Sequence, residues 1–249
     1  SKPMMLLLRP RKPKHKKLRK PDNMRLLIVD LLAERKACGK EGVREIISHF
    51  DNPEVFLWSP HTKNRTEYGF GEVVESPVDC DFIVITGSRR NVSSWEPWMD
   101  DVAELIRNAT VPIVGICFGH QIIAAAFGGR IERAKEGSHF VSEVTYNDGT
   151  TVNAVFTHQD HVVDSGQLDV IASAGHCLIA ACEHPTRPIR TVQYHPEATP
   201  RILSEAIRLG DMTEEEADVF DMSRDIINVK ESLLDLSLIH ISEPTRHRR

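Results

Sequence analysis

Residues 111–127, VPIVGICFGHQIIAAAF, join a short apolar run to an alanine-rich stretch through Gly-Ile-Cys-Phe-Gly. The run Val111–Ile116 is typical of a buried strand, and the stretch from Gln121 to Phe127 is typical of a buried helix. A strand that passes into a helix through Gly-x-Cys-x-Gly has the pattern of a nucleophile elbow, with Cys117 in the nucleophile position. The helix that follows would favour the reactive thiolate at its N-terminus. The alternative is a small buried cysteine packed between strand and helix.

The segments that precede this stretch alternate between strand and helix patterns. Three apolar runs predict strands at Leu26–Leu31, Val55–Trp58 and Asp81–Thr86. Helical spacing of apolar residues predicts helices at Glu41–Phe50 and Met99–Asn108. Short strands separated by helices predict an open, mostly parallel α/β sheet with helices on both faces.

The pattern changes after Gly129, where short strand candidates follow one another without intervening helices. These candidates are Arg130–Arg133, Val141–Tyr146, Val152–Phe156, Leu168–Ala172, Leu178–Cys182 and Ile189–Tyr194. Turn signals between them, such as Asn147-Asp148-Gly149, predict a smaller antiparallel or mixed portion of sheet. A helix is expected from Thr199-Pro200 to Gly210, and Thr213 with Glu216 predicts a capping box for a last helix.

Composition excludes several classes of protein. The chain has 249 residues, of which 41% are hydrophobic and 27% charged, so a sizeable core is expected and wholesale disorder is not. No apolar run reaches the roughly 18 residues of a membrane-spanning helix. The five cysteines are an odd number and form no CxxC pair, which disfavours a disulfide scaffold and favours the reducing cytoplasm.

The two ends differ in composition from the rest of the chain. Residues 1–20 hold nine of the 31 basic residues and no acid, which leaves 22 basic against 36 acidic residues beyond them. We interpret residues 1–23 as a disordered or mis-started leader; a nucleic-acid arm or import signal is the alternative. The acidic remainder is not expected to bind nucleic acid. Residues 236–249 resemble a translated sequencing adapter, and we interpret them as an artefact.

A second chemical motif lies near the end of the chain, at Val192-Gln193-Tyr194-His195-Pro196-Glu197. A cysteine nucleophile needs a base that takes and returns a proton, and that base needs an acceptor to orient it. Glu197 lies two residues after His195 and can plausibly reach its far ring nitrogen. A lone histidine at a strand end is more often structural, so this motif indicates catalysis only in combination with the nucleophile elbow at Cys117.

Together the two motifs, GICFGHQ and YHPE, resemble the class I glutamine amidotransferases, a family with a Cys-His-Glu triad. Thr86-Gly87-Ser88 and Thr157–Val162 are similar to two further segments of that family, in the same order, and the resemblance covers about residues 25–209. It is strongest to the stand-alone branch related to the amidotransferase part of GMP synthase. The resemblance implies a flavodoxin-like three-layer sandwich.

The resemblance also implies roles for individual residues. Cys117, His195 and Glu197 would be catalytic, and backbone N–H groups of Gly87 and Phe118 would form the oxyanion hole. Three further residues are expected to bind substrate: Gln121, His158 and Asp160. No cofactor is required.

A metal is not required either. His158, Asp160 and His161 contain metal-ligating groups, but the triad explains the chain without an ion. Residues 135–141 match the family only loosely where it binds the amino-acid end of glutamine, which leaves the substrate open.

We expect residues 24–210 to form the amidotransferase domain and residues 211–235 a helical extension. The favoured function is hydrolysis of L-glutamine, with the ammonia supplied to a synthetase partner. A gamma-glutamyl peptidase that uses the same triad is the runner-up, and a non-catalytic regulatory relative is the third possibility. No nucleic-acid or membrane partner is expected.

Overall fold

The computed structural model describes residues 23–234, so the basic leader up to residue 22 and the interpreted artefact lie outside the described residues. Ten strands form one sheet, in the order β3-β2-β1-β4-β5-β10-β9-β8-β6-β7. The strands are β1 Arg25–Val29, β2 Glu54–Trp58, β3 Glu72–Val74, β4 Phe82–Ile85, β5 Ile113–Ile116, β6 Arg130–Tyr146, β7 Thr151–Asp164, β8 Asp169–Ala174, β9 Cys177–Glu183 and β10 Ile189–Val192.

Strands β3, β2, β1, β4, β5 and β10 are mutually parallel. Their central members are buried along nearly their whole length, as expected of strands covered on both faces. Glu72–Val74 was not predicted as a strand; it is a three-residue edge strand without a buried residue, too short to give a sequence signal.

The remaining strands, β9, β8, β6 and β7, pair antiparallel and extend the same sheet from β10. Strands β6 and β7 are much longer than the short segments predicted for them. The predicted turn between them is confirmed: Gly149 has φ 88° and the Asp148 carboxylate accepts from the Thr150 N–H at 2.8 Å. The polar residues 135–139 and 157–161 masked the strand pattern. Ser138 and His139 still pair with β7, but the register shifts between Arg133 and Ser138 and leaves residues 134–137 outside the paired ladder.

Two hydrophobic clusters lie on opposite faces of the sheet and give the molecule three layers. Helices α2 (Trp98–Asn108) and α3 (Phe118–Ala126) pack on one face through Met99, Val102, Ile122 and Ile123. Helix α1 (Gly42–Ile47) packs on the other face through Val43 and Ile46. The predicted fold class, a mostly parallel α/β sandwich with an antiparallel portion, is confirmed.

Helix α1 is shorter than the predicted Glu41–Phe50. A π-helical turn, Lys36–Glu41, leads into it, and the chain tightens at its end because the N–H groups of residues 48–50 bond three residues back. Helix α4, Pro200–Leu209, agrees with the prediction: the Thr199 hydroxyl accepts from the Ile202 N–H, and Gly210 ends the helix with φ 73°.

The prediction of one last helix is wrong beyond its first turn. The capping box of Thr213 and Glu216 is present, but helix α5, Glu214–Asp218, is short, and Asp221 then accepts from the Ser223 N–H in a side-chain turn. After this turn, the segment 225–234 crosses the α1 face and finishes in the π-helical turn Lys230–Leu234. Ile227, Val229 and Leu233 of this irregular segment are buried in the same hydrophobic cluster as α1.

All five cysteines are free thiols. Within residues 23–234, no helix has the length and apolar character that crossing a membrane requires.

Candidate active site

Cys117 occupies the turn between β5 and α3. Its φ of 52° and ψ of −101° are rare for a residue with a side chain, and its N–H donates to the Val192 carbonyl at 2.8 Å. Gly119 is required because a Cβ there would overlap the Ile85 carbonyl oxygen. A Cβ at Gly115 would lie 2.7 Å from the backbone of Gly119. The two glycines therefore let the helix start directly against strands β4 and β5, as the elbow pattern predicts.

His195 and Glu197 follow β10, the strand next to β5. The imidazole Nδ1 of His195 and Oε1 of Glu197 are 2.8 Å apart, and both side chains are buried. The His195 N–H donates to the Val155 carbonyl of β7 at 2.8 Å, so the antiparallel strands fix the backbone that presents the imidazole. The second oxygen of Glu197 and Nε2 of His195 have no well-formed hydrogen bond to any of the described residues.

The Cys117 thiol and the His195 imidazole are close enough to interact, and we call the region that these two side chains border the cleft. Burial alone lowers the pKa of His195, but the negative charges of Glu197 and Cys117 raise it by more, so it stands well above its usual value. The thiol donates to the Thr157 carbonyl, with Sγ 3.7 Å from the oxygen, so its contact with the His195 ring is mainly electrostatic. Such contacts between nucleophile and base are often loose before substrate binds.

Gly87 lies under the His195 ring, where a Cβ would come within 2.9 Å of Cε1. The preceding Thr86 is buried; its hydroxyl accepts from the Leu31 N–H at 2.9 Å and lies 2.9 Å from the Gly87 carbonyl. Phe118 begins α3, where the first N–H groups of a helix have no intrahelical acceptor. The two residues predicted for the oxyanion hole therefore flank the cleft, one at the end of β4 and one at the elbow.

The predicted substrate-binding residues lie together, and protein groups already bind most of their polar atoms, whereas Nε2 of His158 has no partner among residues 23–234. The Gln121 amide donates to the Asp160 carbonyl at 2.9 Å and to Gln193 at 3.2 Å. The Asp160 carboxylate accepts from the N–H and hydroxyl of Ser93, each at 2.8 Å. His158 Nδ1 lies 2.9 Å from the Asp160 carbonyl. These contacts hold the β7 strand and the residue 93 loop together, so a supporting role is the one the geometry favours.

Two groups beside the site were missed from the sequence. Ser93 and Gln193 are polar residues with no local pattern, and only the fold shows that they contact Asp160 and Gln121. The π-helical turn Lys36–Glu41 also borders the cleft: the next residue, Gly42, would place a Cβ 3.7 Å from the Glu197 side chain. Asp211 accepts from the Ala37 N–H at 2.6 Å and thereby holds this turn in place.

One cluster of metal-ligating side chains adjoins the cleft. Ligand atoms of His158, His161 and Cys177 lie within 4.8 Å of one another. Cys177 was not predicted for any site, because it is brought next to the two histidines only by the pairing of distant strands.

Known proteins resemble this chain in sequence. The sequence model of the family "Glutamine amidotransferase class-I" matches residues 56–208. The chain is 36% identical over 104 residues to a glutamine-hydrolysing GMP synthase subunit of Methanocaldococcus jannaschii; the match covers 38% of this chain and 55% of that protein. It is 30% identical over 128 residues to the corresponding subunit of Picrophilus torridus, covering 48% and 68%.

Solved structures agree in fold. A glutamine amidotransferase from Thermotoga maritima aligns over 79% of this chain and 86% of its own, with a TM-score of 0.63 and 15% identity. One from Methylobacillus flagellatus aligns over 86% of each chain, with a TM-score of 0.59 and 15% identity. The aligned part of the chain spans just over half the length of the M. jannaschii relative, 55%.

Proposed function

The chain belongs to the class I glutamine amidotransferase family, and from this premise we propose that it hydrolyses L-glutamine to glutamate and ammonia. The observation that carries the proposal is the 2.8 Å contact between His195 and Glu197 in the cleft that holds the strained Cys117 turn. A nucleophile, a base and an orienting acceptor meet there, as acyl transfer through a thioester requires.

In the proposed reaction, the Cys117 thiolate attacks the side-chain amide carbon of glutamine. Backbone N–H groups of Phe118 and Gly87 stabilise the oxyanion; a donor of this kind typically lowers the barrier by about 3–4 kcal/mol. His195, whose pKa is raised, protonates the leaving ammonia and then activates the water that hydrolyses the gamma-glutamyl thioester. Glu197 fixes the ring of His195 through Nδ1 and stabilises its cation.

We further propose that the ammonia goes to a synthetase partner, since relatives over part of the chain are glutamine-hydrolysing subunits of GMP synthase. The site is expected to work in the reducing cytoplasm, where Cys117 and the other four free cysteines remain thiols. We place the catalytic unit at residues 24–210, with the following residues packed on it.

The direct test is glutamate release from L-glutamine by the purified chain, with and without the synthetase component of an archaeal GMP synthase. Cys117→Ala should lower kcat by at least about 1,000-fold because it removes the nucleophile. Cys182→Ala is the matched control, a buried thiol on β9 that is expected to retain activity. Unchanged hydrolysis by Cys117→Ala would refute the mechanism.

The same assay decides the substrate class. Gamma-glutamyl dipeptides are tested beside glutamine, because residues 135–141 match the family loosely. If dipeptides are cleaved far faster than glutamine with and without the synthetase component, the chain is a peptidase that uses the same groups. Stimulation of glutamine hydrolysis by the synthetase component would support the amidotransferase proposal.

A further inference from the structure

His158, His161 and Cys177 place two imidazoles and a thiol at one point beside the cleft. The two histidines lie on β7 and Cys177 begins β9, and their ligand atoms are within 4.8 Å of one another. The rings of His158 and His161 are 4.5 Å apart, centre to centre. Imidazole and thiolate are the ligands that zinc and its neighbouring transition metals prefer.

His158 has the tautomer that a metal ligand needs. Its Nδ1 is 2.9 Å from the Asp160 carbonyl, which can only accept, so Nδ1 carries the proton and Nε2 offers a lone pair. That Nε2 is buried and has no hydrogen-bond partner in the described part of the chain. Metal-bound histidines commonly donate their other ring N–H to a backbone carbonyl in this way. An unpartnered buried acceptor is costly unless something binds it.

Burial favours the uncharged forms of these three side chains. Burial lowers the pKa of His158 to about 3 and also lowers the pKa of His161, so both are unprotonated at neutral pH. Burial raises the pKa of the Cys177 thiol to about 12, and a bound cation would reverse this by stabilising the thiolate.

We propose that His158, His161 and Cys177 form a binding site for one zinc-class transition-metal ion. Tetrahedral zinc with bonds of about 2.0–2.3 Å brings ligand atoms to roughly 3.3–3.8 Å, so side-chain rotations that close the cluster by about 1 Å complete the site. His176, adjacent to Cys177, supplies a further ligand atom for the metal. Its Nε2 is buried and unpartnered within residues 23–234, and its ring is 5.8 Å from that of His158.

Asp160 lies between His158 and His161 in the sequence, but it is not a ligand. Its carboxylate accepts from Ser93 and lies 3.3 Å from the Arg133 guanidinium, so both oxygens already have partners. The Asp160 carbonyl orients His158, and its carboxylate charge acts on His161 without ligating the ion. The proposed ligand His158 directly follows Thr157, whose carbonyl accepts from the Cys117 thiol.

The experiment is titration of the metal-free full chain with Co²⁺, followed by Zn²⁺ displacement. A cobalt–thiolate bond gives a near-ultraviolet charge-transfer band, which needs no enzyme activity. One equivalent should bind with this band, and Zn²⁺ should remove it. Cys177→Ala should abolish the band and weaken binding at least about tenfold. Cys182→Ala, the control on the same strand, should keep both.

A third variant separates this site from the nucleophile. Cys117→Ala should retain the band, because Cys117 is not a ligand; loss of the band there, with retention in Cys177→Ala, would overturn the proposal. Absence of stoichiometric binding by the wild-type chain would overturn it too. His161→Ala, a half-buried residue, gives the same test should Cys177→Ala fail to fold. These readouts remain valid whether or not the chain hydrolyses glutamine.

Discussion

Backbone strain at Cys117 is the residue-scale basis of the site. A non-glycine residue at φ 52° costs on the order of 1–3 kcal/mol, and it persists only where its surroundings impose it. Here the N–H is held by the Val192 carbonyl, and the next turn of α3 packs on Ile85 without a side chain at Gly119. Neighbouring strands β4 and β10 thus hold the thiol in a position that a relaxed helix start would not give it.

Two glycines beside the cleft should respond differently to a methyl group. In Gly87→Ala the new Cβ would meet the side chain of His195 at 2.9 Å, so the imidazole should shift and kcat should fall by about 100-fold with little change in stability. In Gly119→Ala the new Cβ would overlap a backbone oxygen of Ile85, so unfolding free energy should fall by about 3 kcal/mol. Steady-state kinetics and urea unfolding of both variants check this. Equal loss of stability in the two would contradict it.

Asp30, buried at the end of β1, should make stability depend on pH. Burial raises its pKa to about 6 from 3.8, although Arg65 lies 3.3 Å away. The folded state therefore holds its proton more tightly than the unfolded state, and stability falls as pH rises from about 4 to 6. Asp30→Asn imitates the protonated form and should gain about 3 kcal/mol relative to wild type between pH 4 and pH 7. Urea unfolding at both pH values measures this; a constant difference would show that Asp30 does not titrate in this range.

At the residue scale, the sequence predicted which residues form the site better than it predicted their long-range contacts. The elbow and the His-x-Glu spacing are local patterns, so the placement of Cys117 and the His195–Glu197 contact followed from neighbours in the chain. Contacts such as Gln121 with Gln193, or His158 beside Cys177, join residues separated by many positions and carry no local signal. Only the order of the strands shows them.

At the scale of elements, one carboxylate holds the π-helical turn Lys36–Glu41 against the rest of the molecule. Asp211 follows α4, and one oxygen of its carboxylate accepts from the N–H groups of Ala37 and Cys38 at 2.6 and 3.1 Å. The Arg35 guanidinium lies 3.3 Å from the same carboxylate. The turn leads into α1 beside Glu197, so Asp211 links α4 to the border of the cleft.

Asp211→Ala should remove an anion that caps several N–H groups and lower the unfolding free energy by about 2 kcal/mol. Hydrogen exchange should rise in residues 36–41 more than in the strands, because the loss is local. Asp51→Ala, at an exposed position after α1, is the control and should change stability by less than about 0.5 kcal/mol. Unchanged exchange in the turn would show that other contacts hold it.

The predicted extents of strands were wrong where polar and apolar residues alternate irregularly. Strands β6 and β7 carry histidines, acids and serines at residues 135–142 and 157–161, so period-2 alternation is lost, and the register shifts between Arg133 and Ser138 before pairing resumes. The buried parallel strands were predicted well because burial on both faces leaves continuous apolar runs, whereas the exposed edge strand β3 was not predicted. Long hairpins obtain their order from the partner strand, which a single segment does not reveal.

For the whole molecule, the continuous sheet joins the two halves that the sequence presents separately. Cys117 and Gly87 come from the parallel portion, whereas Val155, which fixes the His195 backbone, comes from the antiparallel portion. The segment 225–234 adds to the same structure: Val229 and Leu233 are buried in the cluster that contains α1, and the Ile227 N–H donates to Asn153 of β7 at 3.0 Å. The last described residues therefore belong to the core that supports the site.

Because this segment is part of the core, a substitution in it should strongly lower stability although it lies far from the cleft. Leu233 is fully buried, so Leu233→Ala should lower the unfolding free energy by about 3 kcal/mol through lost contacts and a residual cavity. Val219 lies in the same predicted helical extension but is 49% exposed, so Val219→Ala should change the unfolding free energy by less than about 0.5 kcal/mol. Urea unfolding of the two variants separates an integral segment from an appended helix. If residues 211–234 were a helix that docks loosely on an independently folded domain, both substitutions would change the unfolding free energy only slightly. A large loss for Leu233→Ala alone is expected because Leu233 shares its hydrophobic cluster with strands β1, β4 and β5.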